Sequence, residues 1–344
     1  MELGERKLKI LQAVIDDYII TGIPVGSRTV ARKYLGWSSA TIRNEMSDLE
    51  EMGFLEQPHA SAGRIPSDLA YRLYVERMMR EANLSKEDMD IIEKNIDTRI
   101  NEIEDLVRQT ARLISSLTGY TAVALTPQMS KVLIRHVQMV PVATGVALMV
   151  IVTDGGIIRD NLVRVPEMMT SDQMYAISNR LTLLLKGLAL EEAVAALNNM
   201  QNGMLDEYRE LTGVLLGAVR QSLQPTEEKS VVLDGASNIL KHPEYSDLQK
   251  AKLFLASLDE RERLYHLLDQ ATSMEFQFTI GRENAYDDMR DCSVVTVIYG
   301  DGKNPLGTIG VIGPTRMDYA RVLSVLQHLG KGMSEIIRHL SDSF

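Results

Sequence analysis

Residues 22–64 constrain the fold of this chain most, because signals for helix, turn, helix and hairpin follow one another there without interruption. Gly22 ends a first helix, predicted over residues 5–20, whose apolar side chains recur at three- and four-residue steps. Ser27 and Ser38 are each suited to cap a further helix. A strand, a polar tip and a second strand follow the third helix. This order predicts a winged helix-turn-helix unit.

The third helix has an inward and an outward face. Ile42, Met46 and Leu49 share one face, which should pack on the first two helices. The opposite face carries side chains that reach base edges in a DNA major groove, where Arg reads guanine, Asn reads adenine and Ser or Thr reads either. A basic wing tip contacts phosphates or the minor groove. The candidate DNA-binding residues are therefore Ser27, Arg28, Thr29, Ser38, Ser39, Ala40, Thr41, Arg43, Asn44, Ser47, His59, Ser61 and Arg64.

The charge distribution favours nucleic acid as the partner of this unit. No Asp or Glu occurs between Tyr18 and Asn44, a stretch that contains three Arg and one Lys. Residues 1–80 hold 11 Lys/Arg and 11 Asp/Glu, so the formal net charge of −10 comes entirely from the remainder of the chain. The acid-free stretch attracts phosphate, whereas the acidic remainder repels it. Glu45 interrupts the basic pattern, and its position on the flank of the third helix also suits a structural role.

Length and composition exclude several other classes of protein. A chain of 344 residues is too long for one compact core and suits two or three domains. The single Cys292 excludes an internal disulfide, and the six His residues show no metal-ligand spacing. The longest apolar run, 146–152, is too short to span a bilayer, and the N-terminus lacks an apolar signal core. We expect a cytoplasmic protein without membrane, metal or cofactor.

No catalytic constellation emerges, and we predict that the chain is not an enzyme. Cys292 has no neighbouring His and is typical of a buried structural thiol. The glycines of GTIGVIG, at 307, 310 and 313, lack the lysine and spacing of a phosphate-binding loop and favour a bulged strand. Arg316 and Asp318 could line a ligand pocket. A closing helix that begins at Thr315, with Asp318 completing the cap, explains them equally well.

Two polar joints, at 126–131 and 224–230, bracket a segment with its own strands and helices, which indicates a module inserted into another domain. A stripe of apolar residues from Ile92 to Leu117 fits a helix that covers a sheet, which we favour, or a coiled-coil seam between subunits. Predicted helices lie at 171–186, 190–200, 204–223, 248–257 and 261–270. Predicted strands lie at 120–125, 132–140, 145–153, 157–165, 230–233, 275–280, 293–299 and 306–312, with a hairpin turn at Asp154-Gly155.

These patterns predict a multidomain α+β protein. Strands with helices at both ends form the outer domain, and the bracketed segment is a smaller α+β module. The expected boundaries are 1–82 for the winged helix, 83–128 with 226–344 for the outer domain, and 129–225 for the insert.

Residues 24–75 resemble the N-terminal domain of the HrcA family of bacterial heat-inducible transcription repressors. Their sequence is PVGSRTVARKYLGWSSATIRNEMSDLEEMGFLEQPHASAGRIPSDLAYRLYV. The similarity continues in IGREN at 280–284 and GVIGPTRMDYARV at 310–322, so it covers nearly the whole chain. The resemblance implies a GAF-like fold for the outer domain and dimerisation through the insert. It also implies an operator before heat-shock chaperone genes, and a chaperonin that helps the repressor to reach its active fold.

The sequence therefore predicts a DNA-binding repressor that acts as a homodimer. Reading two half-sites needs two reader domains at a fixed distance, so the expected operator is an inverted repeat. Two alternatives stay open: a regulator gated by a small ligand in the GAF-like domain, and a protein-interaction scaffold whose winged helix never touches DNA.

Overall fold

A computed structural model of the chain describes residues 3–80, 82–95, 103–127, 133–153, 158–201, 217, 231–269, 276–300 and 305–342. The predictions that lie wholly or partly outside these residues include the apolar stripe at 96–102, the joint at 126–131 from residue 128 on, the Asp154-Gly155 turn, the helix over 204–223 apart from residue 217, and the joint at 224–230.

The N-terminal unit consists of helices and one short hairpin. Its elements are α1 Glu5–Thr21, α2 Ser27–Val30 with a π-helical continuation Ala31–Leu35, α3 Ser39–Glu51, β1 Leu55–Glu56, β2 Ile65–Pro66, and α4 Asp68–Leu73 with a π-helical continuation Tyr74–Met78. The two strands pair antiparallel. Gly22 ends α1 in a left-handed conformation, and its N–H donates to the carbonyl of Tyr18 at 2.9 Å. This is the predicted helix stop.

The rest of the chain alternates strands and helices. The strands are β3 Thr121–Leu125, β4 Ile134–Ala143, β5 Val146–Thr153, β6 Ile158–Arg164, β7 Val231–Asp234, β8 Phe276–Ile280, β9 Cys292–Gly300 and β10 Pro305–Pro314. The helices are α5 Lys86–Asn95, α6 Ile103–Thr118, α7 Ser171–Leu185, α8 Leu190–Gln201, α9 Leu248–Asp259, α10 Arg261–Asp269 and α11 Tyr319–Asp342. Each strand predicted from the sequence is present, with bounds shifted by a few residues.

A five-stranded antiparallel sheet in the order β7-β3-β10-β9-β8 forms the centre of this part. Helices α6 and α11 cover one face, while α9 and α10 pack against the other. The inner residues of α6, including Val107 and Ile114, are fully buried, so its apolar stripe covers the sheet as favoured from the sequence. Because β3 and β7 pair directly, the chain leaves this sheet after Leu125 and returns at Val231.

The intervening residues build a separate three-stranded sheet in the order β4-β5-β6. Helix α7 covers the outer edge of β4. The Ser178 hydroxyl accepts the N–H of Met139 at 2.8 Å, and the Thr182 hydroxyl accepts the N–H of Val137 at 3.0 Å. Covering an edge strand in this way prevents it from pairing with another chain. The fold is thus mixed α+β with three sheets.

The closing helix α11 begins later than predicted. Its first residue is Tyr319 rather than Thr315. Asp318 is still the capping group, because its Oδ1 accepts the N–H of Arg321 at 3.1 Å. The preceding residues form a turn instead of a helix, in which Met317 N–H donates to the carbonyl of Pro314 at 3.1 Å. The Arg316 side chain is thereby left free to extend away from the helix axis.

Cys292 and the late glycines have structural surroundings. Cys292 is 1% exposed, its sulfur lies 3.0 Å from the Tyr245 hydroxyl, and burial raises the pKa of the thiol to about 12. It is therefore not a thiolate at neutral pH. The ladder between β9 and β10 shifts register between Pro305 and Gly307, which is the expected bulge. At Gly310 a Cβ would lie 2.7 Å from the carbonyl oxygen of Val295.

None of the helices that the structure describes is both long and apolar enough to cross a membrane.

Candidate nucleic-acid interface

Helix α3 has its apolar face inward and its polar face outward. Ile42 and Leu49 are fully buried and Met46 is 4% exposed. The Ser38 hydroxyl accepts the N–H of Thr41 at 3.1 Å, which is the predicted N-cap, and Gly53 follows the helix at φ 81°. A local cap at each end and three buried residues therefore fix both the length and the rotation of α3.

Ser27 does not cap α2, contrary to the prediction. The N-cap is Gly26, and the carbonyl of Gly26 accepts the first N–H groups of the helix. The Ser27 side chain is 9% exposed, and its hydroxyl lies 3.1 Å from that of Ser39. The hydroxyl bond therefore joins the start of α2 to the start of α3. The Ser27 hydroxyl thus interacts with a residue of another helix instead of capping its own helix.

The outward face of α3 matches the predicted reading face. Ala40, Arg43 and Asn44 are exposed, and Ser39, Thr41 and Ser47 are half-buried. The Thr41 hydroxyl also lies 2.9 Å from that of Ser38. The side chains with the greatest reach, Arg43 and Asn44, are thus the most accessible.

The hairpin is joined to the start of α2 by backbone pairing. Val25 N–H donates to the carbonyl of Arg64 at 2.8 Å, and Arg64 N–H donates to the carbonyl of Val25 at 2.9 Å. Gly63 lies so close that a Cβ there would be 2.5 Å from the carbonyl of Val25. Within the tip, the Gln57 amide donates to the carbonyls of Ala60 at 3.0 Å and Ala62 at 3.1 Å. The loop is therefore braced both internally and against the helices.

An open groove of about 580 Å³ lies between α2, α3 and the hairpin. It brings together five of the predicted residues, namely Ser27, Arg28, Arg43, Ser61 and Arg64. Of the remaining predicted residues, His59 is exposed on the hairpin tip and Thr29 is half-buried on α2. Residues distant in the sequence therefore form one concave, basic surface.

The cations of this unit divide into paired and unpaired ones. Arg6 and Lys7 bind Glu45 at 3.3 and 2.6 Å, so the one acid on the flank of α3 has a structural role. Arg64 binds Glu50 at 2.8 Å and is 20% exposed, which places it at the foot of the hairpin rather than at its tip. Among the described residues, the exposed Arg28 and Arg43 have no hydrogen-bond or ion-pair partner. Arg32 is likewise exposed and without such a partner among the described residues, but it does not line the groove. Arg28 and Arg43 are therefore the unpaired guanidinium groups that the groove itself offers to a bound anion.

Sequence reasoning missed Gln57 and Gly63 as parts of this surface. A glycine in a polar tip signals close approach of another backbone. The approaching partner, Val25, lies far upstream, before α2, and is not identifiable from the local pattern. Gln57 carries no signal, since an isolated glutamine next to a strand is ordinary.

Comparison with known proteins identifies relatives along the whole chain. A family model described as the HrcA protein C-terminal domain matches residues 104–323. Proteins named heat-inducible transcription repressor HrcA are 44% identical in Ruminiclostridium cellulolyticum, 41% in Clostridium botulinum and 40% in Acetivibrio thermocellus. These alignments cover 99–100% of this chain and 98–100% of each relative.

The fold resembles that of a solved protein described only as hypothetical. The TM-score is 0.64 at 23% sequence identity, over 98% of this chain and 100% of that one. The overall arrangement of the chain is therefore one that a crystal structure also contains.

We predict that Gly63→Ala detaches the hairpin from α2. The added methyl group would overlap the Val25 carbonyl, and overpacking of this kind costs about 1–3 kcal/mol. Hydrogen exchange measured on peptides around Val25 and Arg64 should become about 10- to 100-fold faster at their amides. Gly26→Ala is the control, because a Cβ there meets nothing within 4 Å and should leave exchange at Arg64 unchanged. Equal exchange in wild type and Gly63→Ala would refute the proposed bracing.

Proposed function

The chain belongs to the HrcA family of heat-inducible transcription repressors, and from this premise we propose that residues 1–82 form a winged helix-turn-helix domain that binds operator DNA. The family consists of repressors and not of enzymes, so the function to be explained is binding to a partner rather than catalysis. The observation that carries the proposal is the pairing pattern of its cations. Among the described residues, Arg28 and Arg43 are exposed without partners in the groove, while Asp or Glu residues engage four other cations of the unit, Arg6, Lys7, Lys33 and Arg64.

Helix α3 is the recognition helix in this proposal. Its first two turns enter the major groove, where Arg43 contacts guanine, Asn44 contacts adenine, and Ser39, Ala40, Thr41 and Ser47 line the approach. The acids Asp48 and Glu51 lie in the last two turns, which leave the groove. The flank acid Glu45 does not oppose DNA strongly, because two cations neutralise it.

The remaining candidate residues contact the DNA backbone. Arg28 and Thr29 lie at the start of α2, and Ser38 at the start of α3, where phosphate contacts fix register without reading sequence. His59 and Ser61 extend from the hairpin tip toward a phosphate or the minor groove. Arg64 supports the hairpin through Glu50 and offers its other face to the groove.

We propose further that residues 83–128 and 226–344 form a GAF-like domain, into which the module 129–225 is inserted. The support is the direct pairing of β3 with β7, which makes the five-stranded sheet continuous on either side of the insert. The module serves dimerisation, and a dimer of reader domains binds an inverted-repeat operator.

The face of the β4-β5-β6 sheet that points away from α7 suits a dimer contact. Cross-strand rows on this face pair Val140 with Leu148 and Leu148 with Leu162, and Val152 with Ile158. Val140 is 43% exposed and Leu162 is 63% exposed. Polar side chains share this face, since Val150 pairs with Gln138 and Asp160 and Val146 pairs with Arg164. A partly apolar face open to solvent suits an interaction surface, so we assign this face to the partner subunit.

The last part of the proposal concerns regulation. The operator precedes heat-shock chaperone genes, and a chaperonin assists the repressor in reaching its DNA-binding form. Strand β3 precedes the insert and must pair with β7, which follows it. Pairing between strands so far apart in the chain makes folding slow, and apolar surface stays exposed until the sheet has formed. Misfolded proteins that occupy the chaperonin during heat would then relieve repression.

The DNA-binding proposal predicts distinct effects for base and phosphate contacts. Arg43→Ala and Asn44→Ala should each lose about 1–3 kcal/mol of preference for the operator over a scrambled duplex, because each removes a base contact. Arg28→Ala should weaken both duplexes alike and reduce the slope of log K against log salt by about 1. Fluorescence anisotropy at several salt concentrations measures both quantities.

The matched control is Arg290→Ala, which removes the same charge from an exposed side chain that is paired with Asp287, outside residues 1–82. It should change neither preference nor salt slope. If Arg43→Ala and Asn44→Ala bind like the wild type, the winged helix does not read DNA and the interaction-scaffold alternative gains support.

The dimer proposal predicts that Leu162→Asp dissociates the protein. Burying a leucine contributes about 1.5–3 kcal/mol, so the dimer dissociation constant should rise at least tenfold in sedimentation velocity. Leu183→Asp is the control, since Leu183 is 82% exposed on α7 and outside the assigned face. Dissociation by the control, or none by Leu162→Asp, would place the interface elsewhere.

The chaperonin proposal predicts a rise in active repressor. Refolding the purified protein with chaperonin and ATP should increase the operator-bound fraction, and adding a denatured competitor protein should abolish the increase. A bound fraction that is the same with and without chaperonin would exclude this mode of regulation.

A further inference from the structure

Two sequence phrases that the DNA-binding groove does not use meet at one place in the fold. We call residues 1–82 the reader and the rest of the chain the body. IGREN at 280–284 and GPTRMDY at 313–319 belong to the body, yet both contact the reader. The junction between reader and body consists of Arg316 with Glu244 on one side and residues 281–283 on the other.

Arg316 binds the end of helix α1. Its Nη1 donates to the carbonyl of Ile19 at 2.9 Å, and its side chain is 12% exposed. Ile19 lies in the last turn of α1, whose carbonyls lack partners within the helix and carry partial negative charge. A guanidinium at this position is therefore favourable both as a hydrogen-bond donor and as a charge.

The guanidinium of Arg316 is held in place on its other side. Its Nε and Nη2 donate to the Glu244 carboxylate, the latter at 3.4 Å. The helix stop Gly22 packs against it, because a Cβ at Gly22 would lie 3.2 Å from the guanidinium carbon. The same glycine thus ends α1 and makes room for the body's arginine.

The second side of the junction fixes helix α4. Arg72 Nε donates to Glu283 at 2.8 Å, and its Nη2 donates to the carbonyl of Phe278 at 2.9 Å. The Asp68 carboxylate accepts the N–H of Arg282 at 2.9 Å. Because the polar contacts lie at two separated points, they prevent the reader from rotating as well as from translating relative to the body.

Aromatic side chains fill the space between the two sides. The ring centroids of Tyr71 and Tyr319 are 5.7 Å apart, and those of Phe278 and Tyr319 are 6.0 Å apart. Both tyrosines are almost completely buried. Apolar burial holds the units together but is non-directional, so the directional contacts of Arg316 and Arg72 determine the angle.

A direct route leads from Arg316 to the recognition helix. Helix α1 packs on α3, and Lys7 of α1 binds Glu45 of α3 at 2.6 Å. An orientation imposed on the end of α1 is therefore imposed on α3.

We propose that Arg316 is a positioning residue for operator recognition. It sets the angle of the reader on the body, so that the two recognition helices of a dimer lie at one fixed spacing. This inference rests on the proposed DNA-binding function. Loosening the junction lowers the effective concentration of the second reader at its half-site without altering base contacts.

The test uses the full-length protein and duplexes in which two half-sites are separated by the preferred spacer or by spacers one, two or three base pairs longer or shorter. The half-site is first selected by the wild type from a random-sequence pool. Wild type should bind the preferred spacer at least about tenfold more tightly than the others. Arg316→Ala should lose most of this preference, to about twofold, while its affinity for a duplex with a single half-site stays within about twofold of wild type.

Three further variants distinguish a positioning role of Arg316 from a loss of base contacts and from a general effect of substitution. Glu244→Gln removes the charge that holds Arg316 and should flatten the spacing profile in the same direction, which keeps the proposal testable if Arg316→Ala folds poorly. Arg43→Ala should lower affinity at every spacer and at the single half-site. Lys250→Ala, which breaks an exposed pair with Asp291 away from the junction, should match the wild type.

An unchanged spacing profile in both junction variants would overturn the proposal. A uniform loss at all spacers and at the single half-site would also overturn it, because Arg316 would then merely support the fold of the reader. If the wild type itself selects no sequence, the proposed DNA-binding function fails, and that result is distinct from both.

Discussion

The burial of helix α1 is the constraint on which the rest of this structure depends. Ile10, Leu11, Val14 and Ile15 are all fully buried. Around them α1 touches α2, α3, β2 and α4, and its final turn receives Arg316 from the body. Because α1 belongs both to the core of the N-terminal unit and to its attachment, the position of α3 cannot change independently of α1. The contacts that form the core of the N-terminal unit and those that attach it to the rest of the chain therefore share one helix.

Ionic pairing determines which cations remain for a partner. Residues 1–80 carry equal numbers of basic and acidic residues, so their overall charge has no preference for DNA. Lys33 binds Asp17 at 2.7 Å and Arg64 binds Glu50, so a carboxylate already engages each of these two cations. Arg28 and Arg43 remain exposed on one concave surface. Local electrostatics, rather than net charge, is therefore what suits this surface to phosphate and bases.

Features that depend on neighbouring residues were predicted correctly. The Ser38 cap and the Gly22 stop each involve groups within four residues. Predictions that assumed a local partner where a distant one existed were wrong. Ser27 binds Ser39 instead of capping α2, and the turn before Tyr319 points Arg316 at α1 instead of starting a helix.

The sequence by itself determined the order of elements, the apolar faces of α1, α3 and α6, and the residues that α3 presents outward, because periodicity and capping are set within one or two helical turns. Only the tertiary structure decided which cations stay unpaired, that Gly63 meets Val25, and that IGREN and GPTRMDY both contact the N-terminal unit. These depend on contacts between residues far apart in the chain. Such contacts are specified by the packing of whole elements, and no local pattern encodes the identity of the partner.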